Sequence, residues 1–255
     1  MSFTLRLRRK LLGATAVEVG DWLAGVPWRL WSPLRKRLAP APQGVRVDVP
    51  SAFDAAYGVE TAGQVSWLDL KVGTESDAFA GDYMATPPAA ARLVLDRLDD
   101  VASKTFVDVG CGKGRALILA SERPFRAVVG IERSPILVDV ARQNAALVAA
   151  RFPDRPAIAV VQADAADPPW PPGDLVLWLF NPFMRPVMEQ LVAALERSLR
   201  GAPRHVTVLY LHPVCADVLD RCPLLVPDPT LCLSLGRDDD WSRPWQVAAW
   251  RSKAG

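Results

Sequence analysis

From residue 105 to the end of the chain, short apolar runs alternate with longer segments in which apolar residues recur every three or four positions. The short runs predict buried strands, and the longer segments predict helices with one apolar face. The predicted strands are residues 106–109, 127–131, 157–161, 175–180, 206–211, 230–235 and 246–250, and the predicted helices are 114–121, 134–148, 186–199 and 214–220.

This alternation predicts an α/β fold. Strands separated by helices form a parallel sheet with helices on both faces. The last two predicted strands lack a long crossover between them, so they are expected to pair antiparallel. We therefore predict a doubly wound seven-strand sheet over residues 105–255, mostly parallel and with an antiparallel final strand.

The pattern before residue 105 is weaker and divides into two regions. Residues 45–104 contain many turn formers and are predicted to form a cap or lid. Within them, Thr86-Pro87-Pro88 predicts a helix that begins with Thr86 as its cap and with proline in its first turn. Residues 1–44 are predicted to be a basic helical arm that ends in a linker rich in proline.

Positive charge is concentrated in that arm. Residues 1–40 hold eight basic and two acidic side chains, a net charge of +6, whereas the whole chain carries only +2. The arm also contains Trp22, Trp28 and Trp31. It is predicted either to pack on the body or to dock on a membrane surface or a partner. A total charge of +2 does not favour a nucleic-acid substrate, because it creates no strong global field.

The remaining composition indicates an ordinary globular protein, with 50% hydrophobic and 23% charged residues. The apolar run at residues 11–17 is too short for a convincing signal peptide, and no stretch of 18 uncharged apolar residues predicts a transmembrane helix. Four cysteines without a C-x-x-C pair favour a reducing cytoplasm. No metal is predicted. Four residues could in principle supply zinc ligands, but their spacing matches no metal-binding pattern: His205, His212, Cys215 and Cys222.

The sharpest chemical signal is a glycine-rich loop after the first predicted strand. Residues 107–114 read V-D-V-G-C-G-K-G, and the carboxyl end of a strand is where open α/β sheets bind ligands. Alternate glycines let the backbone turn tightly and approach a ligand closely. A Walker loop does not fit the spacing, and a dinucleotide fingerprint needs its third glycine where Arg115 stands.

The remaining pattern, D-x-G-x-G-x-G, resembles the first motif of class I S-adenosylmethionine-dependent methyltransferases. The resemblance implies S-adenosylmethionine as cofactor, held by the loop through Asp108, Gly110, Cys111, Gly112 and Gly114. Cys111 is expected to fill space there rather than to react.

Two acids follow the next strands in the order that this family requires. Glu132 ends the second predicted strand, where an acid accepts hydrogen bonds from the ribose hydroxyls. Asp164 follows the third, and the resemblance implies that it meets the adenine amino group while the backbone N–H of Ala165 meets the ring. Taken singly, each acid is more often a solvated strand-end residue, and only the two together, at successive strand ends, favour the cofactor.

The fourth predicted strand ends in Asn181-Pro182-Phe183, which resembles the [N/D]-P-P-[Y/F] signature of amino-group methyltransferases. The resemblance implies that Asn181 accepts hydrogen bonds from a target nitrogen and that Pro182 and Phe183 shape its channel. The second proline is missing and the ring stands one position early, so methylation of a nucleobase is not favoured. A strand-to-helix turn with Asn181 as helix cap is the alternative.

Upstream, Tyr83-Met84-Ala85-Thr86-Pro87 resembles a Y-x-x-T-P element of some lysine methyltransferases, in which the loop lies over the amino-acid end of the cofactor. Tyr83 and Thr86 are the candidates for that contact, and a protein lysine is the implied substrate. Two other functions remain open. One is a small-molecule methyltransferase with residues 45–104 as a lid, and the other is a non-catalytic protein of this fold that docks through its arm.

Two further features have weaker claims to a role. His212 follows the fifth predicted strand and is expected either to pack or to take a proton. The acidic run at residues 238–240 beside Trp241 is expected either to be a solvated turn or to attract a cationic substrate.

Overall fold

The computed structural model describes residues 51–66, 70, 72–73, 79, 81–234 and 245–253. These residues belong to one compact unit, Asp48–Gly255. The basic arm, the acidic run at 238–240 and Trp241 lie outside the described residues. None of the helices in the described part of the chain is long and apolar enough to cross a membrane.

The described elements alternate as the apolar pattern predicts. The helices are α1 (Ala52–Tyr57), α2 (Pro88–Leu95), α3 (Arg115–Ala120), α4 (Pro135–Arg151), α5 (Arg185–Gly201) and α6 (Ala216–Asp220), with a short 3₁₀ helix at Val101–Ser103. The strands are β1 (Thr105–Val109), β2 (Ala127–Glu132), β3 (Ile158–Gln162), β4 (Leu175–Phe180), β5 (Val206–Leu211), β6 (Leu225–Pro227), β7 (Leu233–Ser234) and β8 (Gln246–Ser252).

The strands form one sheet in the order β3-β2-β1-β4-β5-β8-β6, with β7 also paired to β8. Strands β1 to β5 run parallel, and β8 runs antiparallel to β5, β6 and β7. The predicted doubly wound, mostly parallel α/β sheet is confirmed. The described residues contain eight strands rather than seven, because β6 is only three residues long and too short to leave a pattern in the sequence.

The sheet order reverses between β1 and β4. From β1 the chain winds outward through β2 to β3, and it then returns to place β4 on the other side of β1. Open α/β sheets bind ligands in the crevice that this reversal creates at the carboxyl ends of the strands. The loops after β1 and β4 therefore face the same crevice.

Apolar side chains on both faces of the sheet hold it between two layers of helices. One face packs against α2, α3 and α4 through Phe106, Val128, Val176 and Trp178. The other packs against α5 and α6 through Val107, Val109, Leu177, Leu179 and Val208. Every residue of β1 is buried, which is why its sequence shows no polar alternation.

Residues before the sheet also join this core. Phe53 of α1 and Val94 and Leu95 of α2 belong to the same cluster as Phe106. Helix α2 begins at Pro88, so the predicted proline in its first turn is confirmed. The predicted cap is wrong, because Pro87 is the N-cap residue and no side chain caps this helix. Thr86 is instead buried, with 6% of its surface exposed.

Candidate active site

The glycine loop turns directly after β1. Gly110, Gly112 and Gly114 have φ values of 78°, 56° and 86°, in the left-handed region that side chains with a Cβ rarely adopt. A Cβ on Gly110 would lie 2.8 Å from the Cβ of Pro182, and one on Gly112 would lie 2.3 Å from the Tyr83 ring. The segments that contain Pro182 and Tyr83 therefore contact this loop closely. A residue with a Cβ at Gly110 or Gly112 would clash with them.

Tyr83 is one of the residues that contact the loop closely. Its contact with the cofactor stays a prediction. Its hydroxyl donates to the carbonyl oxygen of Thr61 at 2.7 Å, and its ring lies against Gly112. Burial raises the pKa of the Tyr83 hydroxyl above its ordinary value, so the group is neutral. Thr86 lies three residues further on, buried just ahead of α2.

Glu132, at the end of β2, ties that strand to the glycine loop. One carboxylate oxygen accepts from the Gly112 N–H at 3.0 Å, and the other accepts from the N–H groups of Arg133 and Ser134, both at 2.8 Å. A carboxylate has about four acceptor positions, so about one remains for a ribose hydroxyl. Burial raises the pKa of Glu132, and these three donors oppose that rise.

Asp108 is buried within β1, beneath the loop, with 4% of its surface exposed. Burial, and secondly the charge of Glu132, raises the pKa of its carboxyl well above the ordinary range. Two acids therefore share one poorly solvated region. A cation placed near them would stabilise the ionised form of Asp108.

Asp164 and Ala165 follow β3, the next strand along the sheet. The Asp164 carboxylate accepts from the N–H of Ala166 at 3.0 Å, and Ala165 is buried. Because β1, β2 and β3 are adjacent and parallel, the glycine loop, Glu132 and Asp164 lie at successive strand ends on one edge of the sheet. That these residues contact a cofactor there stays a prediction.

The segment 181–183 follows β4 on the opposite side of β1. A Cβ on Gly110 would lie 3.3 Å from the Phe183 ring, so both Pro182 and Phe183 flank the glycine loop. Asn181 has a φ of 38° and does not cap the following helix, because the N-cap residue of α5 is Met184. The alternative role of Asn181 as a helix cap is therefore wrong.

The side chain of Asn181 is oriented by a residue that the sequence analysis missed. The Tyr210 hydroxyl donates to Oδ1 of Asn181 at 3.3 Å and accepts from the N–H of Cys215 at 3.4 Å. Tyr210 lies fully buried in β5, the strand beside β4. Its position within an apolar strand conceals this role, because a buried tyrosine in such a strand reads as core.

Lys113 and Arg115 are also missed by the sequence analysis as parts of the site. Both follow glycines of the loop, yet their side chains are largely buried against residues 51–62. A charged side chain on either side of Gly114, in an otherwise apolar loop and helix, is the signal that indicates such partners.

The other candidate residues have simpler roles. Cys111 is buried with its sulfur close to Gly130, and burial raises the pKa of its thiol well above the ordinary range. Its space-filling role stays a prediction. His212 has a φ of 55°, and its backbone N–H donates to the Gln246 carbonyl at 2.8 Å. Among the described residues, no group of three or more His, Cys, Asp or Glu could hold a metal ion.

Comparison with known proteins agrees with this architecture. Residues 106–201 match the family model of a methyltransferase domain. The chain is 36% identical over 133 residues to nocamycin O-methyltransferase of Saccharothrix syringae, covering 49% of this chain and 45% of that protein. It is 48% identical over 68 residues to release factor glutamine methyltransferase of Burkholderia pseudomallei (strain K96243), covering 25% of this chain and 24% of that protein. The chain thus spans less than half the length of each of these curated relatives.

Among solved structures, a ribosomal protein L11 methylase from Lactobacillus delbrueckii subsp. bulgaricus has a TM-score of 0.46 at 22% identity, covering 64% of this chain and 77% of that chain. The methyltransferase domain of bacterial CtHen1 has a TM-score of 0.49 at 17% identity, covering 66% of this chain and 98% of that chain. Over residues 106–201, the chain therefore matches a methyltransferase domain.

Proposed function

We propose that this protein transfers a methyl group from S-adenosylmethionine to a nitrogen acceptor, and that the acceptor is a protein lysine. The observation that carries the proposal is the contact between two loops. Pro182 and Phe183 flank Gly110 of the glycine loop. This contact supports a role for the neighbouring Asn181 where a methyl donor on that loop would meet its acceptor.

The residues around the crevice fit the cofactor. The glycine loop lacks the Cβ atoms that would block a close approach, and Glu132 retains about one acceptor position for a ribose hydroxyl. Asp108 offers a buried carboxyl to a cationic group. Asp164 and Ala165 would face the base, and Tyr83 and Thr86 would close the amino-acid end. The bound cofactor supplies a methyl group on a sulfonium, which leaves as a neutral thioether.

Asn181 suits an amine nucleophile. Its side-chain oxygen and its main-chain carbonyl, ahead of Pro182, are two acceptors at one strand end. Two acceptors fix an N–H₂ group and aim its lone pair along the line of displacement. An amine held in this way would first lose its ammonium proton to solvent; its lone pair would then form the new N–C bond while the C–S electrons returned to sulfur.

A lysine target needs no strong base in this arrangement. Its ordinary pKa is about 10.4, so it arrives charged. The positive sulfonium and the removal of water both favour the neutral amine. Positioning of the two partners then does most of the work, and positioning can supply roughly 7–11 kcal/mol.

The curated relatives support two acceptor classes. A 48% identical segment of 68 residues is shared with a methyltransferase that, by its name, acts on a glutamine of a release factor, which favours a protein substrate. The longer match, 36% over 133 residues, is to an O-methyltransferase named for nocamycin, and it favours a small-molecule methyltransferase as the second candidate. A non-catalytic docking protein is less well supported, because all three loop glycines, Glu132 and Asp164 are intact.

The test is transfer of an isotopically labelled methyl group from S-adenosylmethionine into a cell lysate. The products are separated into protein, nucleic-acid and small-molecule fractions, and the protein fraction is hydrolysed to amino acids for mass spectrometry. We expect label in methylated lysine, and we expect the label to disappear with Asn181→Ala. A labelled methyl group on oxygen, sulfur or carbon would reject the nitrogen acceptor. A labelled methyl group on a nitrogen other than that of lysine would reject lysine as the target and leave the nitrogen acceptor standing.

The proposal also covers the cellular location and the partners of the protein. We propose a cytoplasmic enzyme without a nucleic-acid substrate, whose residues 1–40 provide a contact to an anionic membrane or to a partner through their net charge of +6.

A further inference from the structure

A short segment ahead of the sheet, residues 51–62, is fastened to the glycine loop and is called the strap below. It begins at Ser51, whose hydroxyl accepts from the N–H of Asp54 at 3.1 Å, and α1 ends at Gly58 in a left-handed conformation. The chain then passes over the start of α3. Thr61 is completely buried there, which is unusual for a polar residue in a loop.

Asp54 holds the far end of the strap. Its carboxylate accepts from the N–H groups of Thr61 and Ala62 at 2.9 and 2.7 Å, and also from the Thr61 hydroxyl. Burial alone would raise the pKa of Asp54, but these hydrogen bonds, together with the charge of Arg115, lower it below the ordinary value. The strap therefore contains a buried carboxylate that stays ionised.

Arg115, the first residue of α3, is the charged partner of that carboxylate. Its Nε donates to the Thr61 hydroxyl oxygen at 2.7 Å, and one terminal nitrogen lies 3.2 Å from the Ser51 hydroxyl and 3.4 Å from Asp54. Its guanidinium also lies over the Phe53 ring, 5.1 Å from the ring centre. Only 9% of this side chain is exposed.

Lys113 makes a second connection from the glycine loop. Its Nζ donates to a Glu60 carboxylate oxygen at 2.8 Å and to the Ala62 carbonyl at 3.1 Å. Asn144 of α4 completes it, because its amide nitrogen donates to the carbonyls of Glu60 and Lys113, each at 2.9 Å. The loop, the strap and α4 are thus joined by buried polar groups.

These connections end on the wall of the cofactor crevice. The Thr61 carbonyl accepts the Tyr83 hydroxyl, and the Tyr83 ring lies against Gly112. The adenine is assigned to the end of β3 and the ribose to the end of β2, while the acceptor lies after β4. The amino-acid end of the cofactor must then cross the end of β1, where Tyr83 and the strap meet the loop.

We propose that Arg115 and Lys113 are positioning residues for the amino-acid end of S-adenosylmethionine, which they influence by holding the strap and Tyr83 against the glycine loop. The inference rests on the proposed cofactor site and not on the identity of the acceptor. It gives a function to the two charged residues that break the glycine pattern. Neither side chain is needed to touch the cofactor.

Two ligands separate this role from a purely structural one. S-adenosylhomocysteine contains the amino-acid end, whereas 5′-deoxy-5′-methylthioadenosine keeps the adenine, ribose and sulfur but lacks it. Binding of both is measured by calorimetry for the wild type, Arg115→Met, Lys113→Met, Thr61→Val and the Arg115→Met/Thr61→Val pair. Arg142→Met is the matched control, because its guanidinium donates to the Val160 carbonyl of β3 and, among the described residues, makes no hydrogen bond to the strap.

We expect Arg115→Met and Lys113→Met to weaken S-adenosylhomocysteine about 10-fold, the effect of about one hydrogen bond to a charged group. Methylthioadenosine should bind all variants about as well as it binds the wild type. The Arg115 and Thr61 changes should not add in the double variant, because they remove one shared contact. Lys113→Met keeps the test decisive if Arg115→Met does not fold, since its partner Glu60 is largely exposed.

Equal weakening of both ligands, or no weakening of S-adenosylhomocysteine, would overturn the inference while leaving the cofactor site intact. Failure of the wild type to bind either ligand would instead reject the proposed function, and the positioning role with it. A product methylated on oxygen would change the acceptor and leave this inference standing.

Discussion

The two residues proposed for the acceptor side of the crevice are joined by a hydrogen bond. The Tyr210 hydroxyl, on the neighbouring strand, donates to the Asn181 amide oxygen, which we propose as an acceptor for the substrate amine. The N–H of Cys215 donates to the same hydroxyl, which leaves the hydroxyl proton free to point at Asn181. The amide oxygen then keeps a second lone pair for an amine.

Loss of Asn181 should therefore affect turnover far more than cofactor binding. We expect Asn181→Ala to lower turnover about 10²-fold, on the order of 2.7 kcal/mol. Tyr210→Phe should lower it about 5- to 10-fold, because one neutral hydrogen bond contributes about 1 kcal/mol. Steady-state kinetics and calorimetry with S-adenosylmethionine check both variants. A parallel loss of cofactor affinity would mean that Asn181 serves the cofactor rather than the acceptor.

Binding of the cofactor should release a proton from Asp108. Burial, and secondly Glu132, raises its pKa in the free protein, so it holds a proton at pH values where an ordinary carboxyl is ionised. A cationic ammonium nearby would lower that pKa. Binding should then release a proton, and affinity should rise with pH between the bound-state and free-state pKa values.

Calorimetry in two buffers with different ionisation enthalpies measures that proton directly. Asp108→Asn should abolish the release, whereas Asp139→Asn, which alters an exposed residue of α4, should not. Proton uptake, or release that persists in Asp108→Asn, would contradict the role given to this carboxyl.

At the scale of elements, β1, β4 and β5 could be predicted because they are buried on both faces and read as mostly apolar runs. Strands β2 and β3 are only partly buried, and they could be predicted from their short apolar runs between helices. Helix α1 was missed, because six residues among turn formers show too little periodicity. The prediction that Thr86 caps α2 uses only the local preference for threonine before a helix. In the structure Thr86 is buried and Pro87 is the N-cap residue, which a local preference does not predict.

The candidate site also divides into residues that could be placed from the sequence and residues that could not. The glycine loop, Glu132 and Asp164 could be placed from sequence, because strand ends in a parallel sheet meet at one edge. The strap could not be placed, because Arg115 meets Thr61 across 54 residues of sequence. Such long-range polar contacts leave no periodic signal.

The contact between Tyr83 and the glycine loop leaves no room for an additional methyl group. In Gly112→Ala the new Cβ would lie 2.3 Å from the Tyr83 ring, in a left-handed conformation. We expect the protein to lose about 1–3 kcal/mol of stability and most of its affinity for S-adenosylmethionine. Gly81→Ala is the control, because nothing lies within 4 Å of its Cβ position. Thermal unfolding and calorimetry check both, and normal binding by Gly112→Ala would contradict this geometry.

At the scale of the whole molecule, residues 1–40 carry a charge opposite to that of the rest of the chain. They carry +6 and the whole chain carries +2, so residues 41–255 carry −4. Each Lys or Arg near an anionic membrane contributes about 1 kcal/mol of binding. Deleting residues 1–40 should abolish binding to phosphatidylserine vesicles and leave cofactor affinity nearly unchanged. Sedimentation with anionic and neutral vesicles checks this. Equal binding before and after deletion would exclude a membrane role for the arm.

The claim on which the rest depends is that the crevice between β1 and β4 binds S-adenosylmethionine. The most direct measurement is calorimetric titration of the wild type and Glu132→Ala with S-adenosylmethionine, S-adenosylhomocysteine and NAD. We predict that the wild type binds both sulfur ligands and not NAD. Glu132→Ala should bind them more weakly by roughly 1.5–3 kcal/mol, the range for hydrogen bonds to a charged group. Absence of binding to either sulfur ligand, or preferential binding of NAD, would contradict the account.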